Sequence, residues 1–142
     1  MAEIRNYKDL QVWQEGMTLV SMVYGLTESL PTSERFCLIR QMCRAAISVP
    51  ANIAEGHGSS HRRVFTNHLS VSKGSLMEVE TYVLLTVQLG YLQRDRVGQT
   101  LAQIQRVGML LSALIRSLTR SSSEPNPEPR IPNPLGTDGE PT

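Results

Sequence analysis

Hydrophobic residues recur at steps of three and four in four long segments of the chain, and none of these segments alternates with the period of two that marks a strand. The segments cover residues 8–29, 33–55, 61–89 and 95–120. Because loops of only a few residues separate them, consecutive helices must run in opposite directions. The pattern predicts an all-α fold: an antiparallel up-down-up-down four-helix bundle.

The apolar stripe of each segment indicates which face is buried. In the third segment the stripe is Phe65, Leu69, Ser72, Leu76, Val79, Val83 and Thr86. In the fourth it is Val97, Leu101, Ile104, Gly108, Leu111, Ile115 and Leu118. The first segment has a leading stripe of Leu10, Trp13, Met17, Val20 and Tyr24. A second set widens that face: Val12, Leu19, Val23 and Leu26.

The composition changes abruptly after Arg120. Residues 121–142 hold six of the eight prolines, four of the thirteen acidic residues and no aromatic residue. A segment so rich in proline and so poor in apolar side chains cannot bury a core of its own. We therefore predict one folded domain over residues 1–120, followed by a disordered, Pro-rich acidic tail.

Charge is divided unevenly between these two parts. The whole chain carries a net +1, whereas residues 1–120 carry +4 and residues 121–142 carry −3. A mildly basic body permits binding to nucleic acid without requiring it. The N-terminus is polar, and no apolar run approaches the roughly 20 residues that span a bilayer. We therefore expect a cytoplasmic protein without membrane partners.

No pattern in the sequence predicts catalysis, a cofactor or a metal. Glu78 and Glu80 are two residues apart on a helix, so they point to different faces and cannot converge. The histidines lack the spacing of metal-binding helices. Cys37 and Cys43 lie roughly 240° apart around one predicted helix, too far to bridge, and we expect both to be reduced core thiols. These observations favour a non-enzymatic protein without cofactors.

Arg44, Asn52 and Glu55 lie on either side of Pro50, which removes one backbone donor from the second helix. An asparagine two residues after this proline can donate to the freed carbonyl, and Glu55 can pair with Arg44 of this or a neighbouring helix. We interpret the three residues as a structural polar network that fixes the register of the helices. The alternative is a ligand site or a catalytic carboxylate.

Basic residues form the second group of candidates. The positions considered for nucleic-acid binding are His61, Arg62, Arg63, Lys73, Arg94, Arg96 and Arg120. The first three form the densest cluster, and the last three are expected at one end of the bundle. Such residues can contact phosphates without reading bases. The alternative is an ordinary solvated surface.

One stretch carries a specific resemblance. The run from Arg44 to Gly58, RAAISVPANIAEGHG, resembles the signature of the S23, or 23S rRNA intervening-sequence, proteins. The segment from Tyr7 to Trp13 resembles the opening of that family, and Leu89-Gly90-Tyr91-Leu92 resembles the exit from its third helix. The resemblance extends over about residues 4 to 120. The chain departs from it at Lys73 and after Gly58, where the differences add positive charge.

The resemblance implies mainly an architecture. Members of the family are similar four-helix bundles that assemble as rings of five, so it implies a homopentamer. The family is also similar to the accessory proteins of diversity-generating retroelements, which are basic pentameric barrels that bind a reverse transcriptase and nucleic acid. For the intervening-sequence proteins themselves, the family name reflects the location of their genes and is no evidence of ribosome binding.

Two hypotheses of function follow. The first is a non-catalytic, homo-oligomeric scaffold that binds the backbone of RNA or DNA, as an accessory subunit of a retroelement reverse transcriptase in its most specific form. The second is a protein–protein interaction module that binds no nucleic acid. An enzyme is a third hypothesis, which no motif favours.

Overall fold

A computed structural model describes residues 6–120 of the chain, and all of its regular structure in this range is helical. The helices are α1 (Gln11–Thr27), α2 (Leu38–His57), α3 (Arg62–Gln88) and α4 (Arg94–Arg120). This architecture confirms the predicted all-α class. The predicted tail, residues 121–142, lies outside the described residues. No helix between residues 6 and 120 is long and apolar enough to cross a membrane.

Neighbouring helices pack side by side, and α4 closes the bundle by contacting both α3 and α1. Hydrogen bonds between α1 and α4 give their relative direction. Gln103 Nε2 donates to the Glu15 carbonyl over 2.9 Å, and Arg96 Nη2 donates to the Gly25 carbonyl over 3.4 Å. Positions that rise along α1 therefore match positions that fall along α4, as an antiparallel pair requires.

The core confirms the predicted stripe of α3, and it uses the second of the two apolar sets on α1. Every stripe residue of α3 is buried except Phe65, which is half-buried. On α1 the buried residues are Val12, Gly16, Leu19, Val23, Leu26 and Thr27. From the expected leading stripe, Met17 and Tyr24 are each 45% exposed. This helix is apolar on two sides, and only one of them faces the other helices.

Helix α2 begins five residues later than the sequence pattern predicts. A 3-10 turn over Thr32–Glu34 and a non-helical Cys37 (φ −120°, ψ −95°) precede its first residue, Leu38. The Glu34 carboxylate accepts a hydrogen bond of 3.2 Å from the Leu38 backbone N–H, so it satisfies one of the free donors at the helix start. From there α2 runs unbroken to His57, with Pro50 inside it.

Candidate functional site

The start of α3 and the end of α4 lie side by side and bring part of the predicted basic set together. A hollow of about 400 Å³ is lined by Arg62, Arg63, Thr66, Asn67, Leu118 and Thr119. Because the two helices are antiparallel, Arg120 lies at this same end of the bundle. His61 precedes α3 at its N-cap position, and its side chain makes no capping hydrogen bond.

A second hollow continues between the same two helices, nearer their middle. It measures about 630 Å³ and has Lys73 on one side and Arg116 on the other. Its apolar part is formed by Met109, Leu110 and Ala113 on α4. The predicted set included Lys73 but omitted Arg116. These two hollows together are called the α3–α4 groove below.

Among residues 6–120, no carboxylate lines the α3–α4 groove. Residues 62–77 of α3 contain no aspartate or glutamate, and neither do residues 96–120 of α4. The cations of these two segments are Arg62, Arg63, Lys73, Arg96, Arg106, Arg116 and Arg120. The absence of acidic residues from positions 96–120 of α4 is the sequence signal that identifies Arg116 as part of the same surface.

Two of the predicted cations lie far from this groove. Arg94 and Arg96 begin α4 and Arg120 ends it, so about 39 Å of helix separates them at 1.5 Å per residue. The expectation that these three residues share one end of the bundle is therefore wrong. Arg94 lines a separate hollow of about 210 Å³, and Arg96 reaches across to α1.

Arg106 belongs to the α1–α4 contact, away from the groove. Its Nε lies 2.9 Å from Glu15 Oε1, and Gln103 Nε2 donates to the other carboxylate oxygen over 2.7 Å. These two hydrogen bonds, with that of Gln103 the larger effect, lower the pKa of Glu15 below its usual value. The Arg106 charge is thus matched by a carboxylate, whereas the part of the chain that the structure describes supplies no carboxylate to the α3–α4 groove.

A chain of polar side chains joins α2 to α3, with members that differ from those expected. Asn52 Nδ2 donates to both the carbonyl and the hydroxyl of Ser48, each over 2.9 Å. The other amide atom, Asn52 Oδ1, lies 3.1 Å from His68 Nδ1, and Ser48 Oγ lies 2.8 Å from Ser75 Oγ. Because Asn52 Oδ1 can only accept, His68 Nδ1 carries the proton and donates it. The bonded carbonyl is that of Ser48, whereas the donor that Pro50 lacks would have bonded Ala46.

Arg44 and Glu55, the other two expected members, are both exposed. Within residues 6–120 neither has a hydrogen bond or ion pair with Asn52. Arg44 instead lines a polar hollow of about 320 Å³ on the outer side of the α2–α3 contact, together with Glu78. Sequence reasoning missed three members of this network: His68, Ser48 and Ser75. Their one signal in the sequence is a position on the facing sides of α2 and α3.

Chemistry-bearing side chains are otherwise dispersed. Among residues 6–120 no three His, Cys, Asp or Glu side chains lie close enough together to hold a metal ion. Both cysteines are free thiols: Cys37 is exposed, which corrects the expectation of two core thiols, and Cys43 is half-buried. Burial raises the pKa of the Cys43 thiol, and hydrogen bonds with Thr27 and Tyr24 oppose that effect.

Known proteins place this fold in a family. A crystal structure of a protein of unknown function from the S23 ribosomal protein family of Bacteroides thetaiotaomicron superposes with a TM-score of 0.69 at 22% identity, covering 74% of this chain and 98% of that one. No curated protein matches the chain. Residues 8–113 match the family described as 23S rRNA-intervening sequence protein. That match spans most of the described helices and includes the segment from Arg44 to Gly58, and the chain therefore belongs to the 23S rRNA-intervening sequence protein family.

Proposed function

We propose that the chain is a non-catalytic helical scaffold that binds the sugar–phosphate backbone of RNA or DNA along the α3–α4 groove. The observation that carries this proposal is the groove itself. Arg62, Arg63, Lys73 and Arg116 line its two hollows, and no acidic side chain among residues 6–120 lines either of them. Exposed cations on most protein surfaces are interspersed with acidic groups. Here no acidic residue is interspersed with the cations over about four turns of α3, residues 62–77.

The geometry suits phosphate contacts better than base readout. Arginine presents a planar fork of donors that matches phosphate oxygens, and lysine adds a mobile point charge. The cations lie along both rims of a shallow groove. Among residues 6–120 no helix or strand protrudes beside them that could enter the groove of a duplex and read its bases. Binding through such contacts releases counterions, so its affinity falls steeply as salt rises.

Self-assembly would bring several copies of this groove together and so strengthen its attraction for phosphate. Similarity to bundles that form rings of five supports a homopentamer, which would repeat the groove around one axis and strengthen its field. An accessory role beside a retroelement reverse transcriptase is the most specific form of the proposal. It is supported by the resemblance to retroelement accessory proteins.

Fluorescence anisotropy with a labelled, structured RNA tests the proposal. We expect binding at about 50 mM salt that weakens strongly towards about 200 mM. The double variant Lys73→Gln/Arg116→Gln should bind several-fold more weakly and reduce the slope of log affinity against log salt by roughly 1.5.

The matched control for this experiment is Arg35→Gln/Arg40→Gln. It removes the same charge from two exposed residues near the start of α2, outside the groove. We expect it to bind nearly as tightly as the unaltered protein. Absence of binding at low salt, or an equal loss in the two double variants, would overturn the proposal.

A second candidate function, a protein–protein interaction module, is favoured by an apolar surface on the opposite side of the bundle. Met17 and Tyr24 on α1 and Ile47 on α2 are each 45% exposed. The three residues lie at similar heights along the bundle. Gly16 of α1 packs against Pro50 of α2, and Tyr24 of α1 forms a hydrogen bond with Cys43 of α2, so Ile47 lies between these two contacts. Exposed apolar groups that cluster in this way mark interaction surfaces. Light scattering after size exclusion should show a smaller assembly for Ile47→Glu, and unchanged mass would contradict this role.

A further inference from the structure

The α3–α4 groove combines an uncovered apolar floor with charged rims. Met109, in the floor, is 72% exposed, an unusual position for a large apolar side chain on a helix that otherwise packs into a core. Lys73 and Arg116 lie on either side of it. A ligand for this groove must therefore present apolar groups and negative charges close together in an extended shape.

The chain carries such a segment directly after the groove. Residues 121–142 contain the acidic residues Glu124, Glu128, Asp138 and Glu140, with Arg130 as the one opposing charge. The run from Glu124 to Pro129 alternates acidic or amide residues with proline. We propose that this segment docks in the α3–α4 groove of its own chain, with its carboxylates against the rims and its prolines on the floor.

The length of the segment fits this arrangement. Arg116 lies one helical turn before Arg120, about 6 Å along the axis, and Met109 lies about 17 Å before it. An extended chain advances about 3.3 Å per residue. Glu124 can therefore return to Arg116, since it has about 13 Å of chain. Glu128 has about 26 Å of chain, enough to reach Lys73.

Tethering makes such docking effective even though single exposed ion pairs are weak. A segment attached at the end of the groove has an effective concentration in the millimolar range, so modest contacts suffice to hold it. Proline lowers the conformational entropy that the segment loses on docking, because its φ angle is already fixed. The charged contacts should weaken as salt rises.

Docking would also regulate the groove, because the same cations cannot hold carboxylates and phosphates at once. The segment would then act as an intramolecular competitor that lowers the affinity for nucleic acid. This consequence depends on the proposed function, whereas the docking itself does not.

Zero-length carbodiimide cross-linking of the full chain tests the docking directly, because the sequence contains two lysines, Lys8 and Lys73. We expect peptide mass spectrometry to find an amide between Lys73 and Glu124 or Glu128, in monomer-sized products, with a yield that falls at high salt. Lys8 is the internal control. It lies in the turn before α1 and lines neither hollow of the groove, so its cross-link to the segment should be several-fold weaker than that of Lys73.

Variants sharpen the result. Arg116→Gln should lower the Lys73 cross-link several-fold, and Arg35→Gln, which removes an equal charge elsewhere, should leave it unchanged. Absence of the Lys73 cross-link, or an equal yield at Lys8, would overturn the proposal. A cross-link found only between copies in a mixture of ¹⁴N- and ¹⁵N-labelled protein would also overturn it, since it would show that the segment docks on a second copy.

The regulatory consequence has its own readout. Glu124→Gln/Glu128→Gln should bind structured RNA several-fold more tightly than the unaltered protein at low salt. Equal affinity would contradict the competition. A protein that binds no RNA in either form but retains the Lys73 cross-link would contradict the proposed function and support the docking, so the two failures are distinguishable.

Discussion

Tyr91 Oη donates a hydrogen bond of 3.0 Å to Glu34 Oε1 and so joins the loop between α3 and α4 to the loop between α1 and α2. The other carboxylate oxygen of Glu34 accepts from the Leu38 backbone N–H at the start of α2. One carboxylate therefore caps a helix and ties two distant loops together. Gly90, with φ of 78°, turns the chain after α3 and brings Tyr91 to this position.

We expect Tyr91→Phe to lower the free energy of unfolding and to remove part of the loss of stability at alkaline pH. The hydrogen bond to Glu34 raises the pKa of Tyr91 above its ordinary value of 10.0. A group whose pKa is raised by folding stabilises the protein below its unfolded pKa, and this stability disappears as pH rises through the folded pKa. Urea unfolding between about pH 8 and pH 11 measures the effect.

Tyr82→Phe is the matched control, because the Tyr82 hydroxyl has no hydrogen-bond partner among residues 6–120. If the two variants lose the same stability at neutral pH, or if Tyr91→Phe keeps the full alkaline dependence, the link to Glu34 contributes nothing.

Periodicity predicted α3 well, because its buried positions form one narrow stripe between polar faces. It ranked the two apolar sets of α1 in the wrong order, because Trp13, Met17 and Tyr24 repeat as regularly as the residues that are buried. The start of α2 was missed for a different reason. Glu34 acts as a cap from a separate 3-10 turn, and capping across such a turn leaves no periodic signal in the sequence.

The sequence predicted several of the cations of the candidate site, but it did not predict that they line one groove between α3 and α4. The sequence identified Arg62, Arg63 and Lys73, yet it could not show that Arg116 and Lys73 line the same hollow. That pairing depends on the register between two antiparallel helices, which is set by contacts such as that between Gly108 and Leu76. Residue spacing within one helix carries no information about such a register.

Asn52→Ala should destabilise the fold by about 1–3 kcal/mol, because it removes the partner of two half-buried polar groups. The His68 Nδ1–H and the Ser48 hydroxyl would each lose a hydrogen bond. Chemical denaturation followed by circular dichroism measures the change. Asn67→Ala, at an exposed position of α3, serves as the control and should change stability by less than about 0.5 kcal/mol. Similar losses of stability in the two variants would show that the hydrogen bonds of Asn52 do not stabilise the bundle.

Glu15→Gln should reduce the sensitivity of the protein to acid. Hydrogen bonds from Gln103 and Arg106 hold the pKa of Glu15 below its ordinary value of 4.5. A carboxyl whose pKa is lowered by folding contributes stability above its unfolded pKa and loses it as pH falls through the folded pKa. The variant should therefore be less stable than the unaltered protein at pH 7, and the difference should shrink below about pH 4. Thermal melts between pH 7 and about pH 3 measure this difference in stability. Glu28→Gln, at an exposed residue, is the control, and its difference from the unaltered protein should not change with pH in this way.

Two glycines in helices should respond in opposite directions to alanine. At Gly56 on α2, an added Cβ would lie 2.6 Å from His68 Cβ, so the two helices would have to move apart. We expect Gly56→Ala to cost about 1–3 kcal/mol of stability. Gly74 on α3 is exposed, and nothing lies within 4 Å of the position of its added Cβ. Gly74→Ala should therefore stabilise the helix by about 0.5–1 kcal/mol, because alanine loses less backbone entropy than glycine on folding.

Urea denaturation of the two glycine variants, compared at equal m-values, decides between this account and a simple propensity effect. Helix propensity alone would make both variants more stable. Stabilisation by Gly56→Ala would mean that α2 and α3 are not in contact at His68, and the hydrogen bond between His68 and Asn52 would then be doubtful as well. Destabilisation at Gly74 would place a partner surface, such as another copy of the chain, against the exposed side of α3.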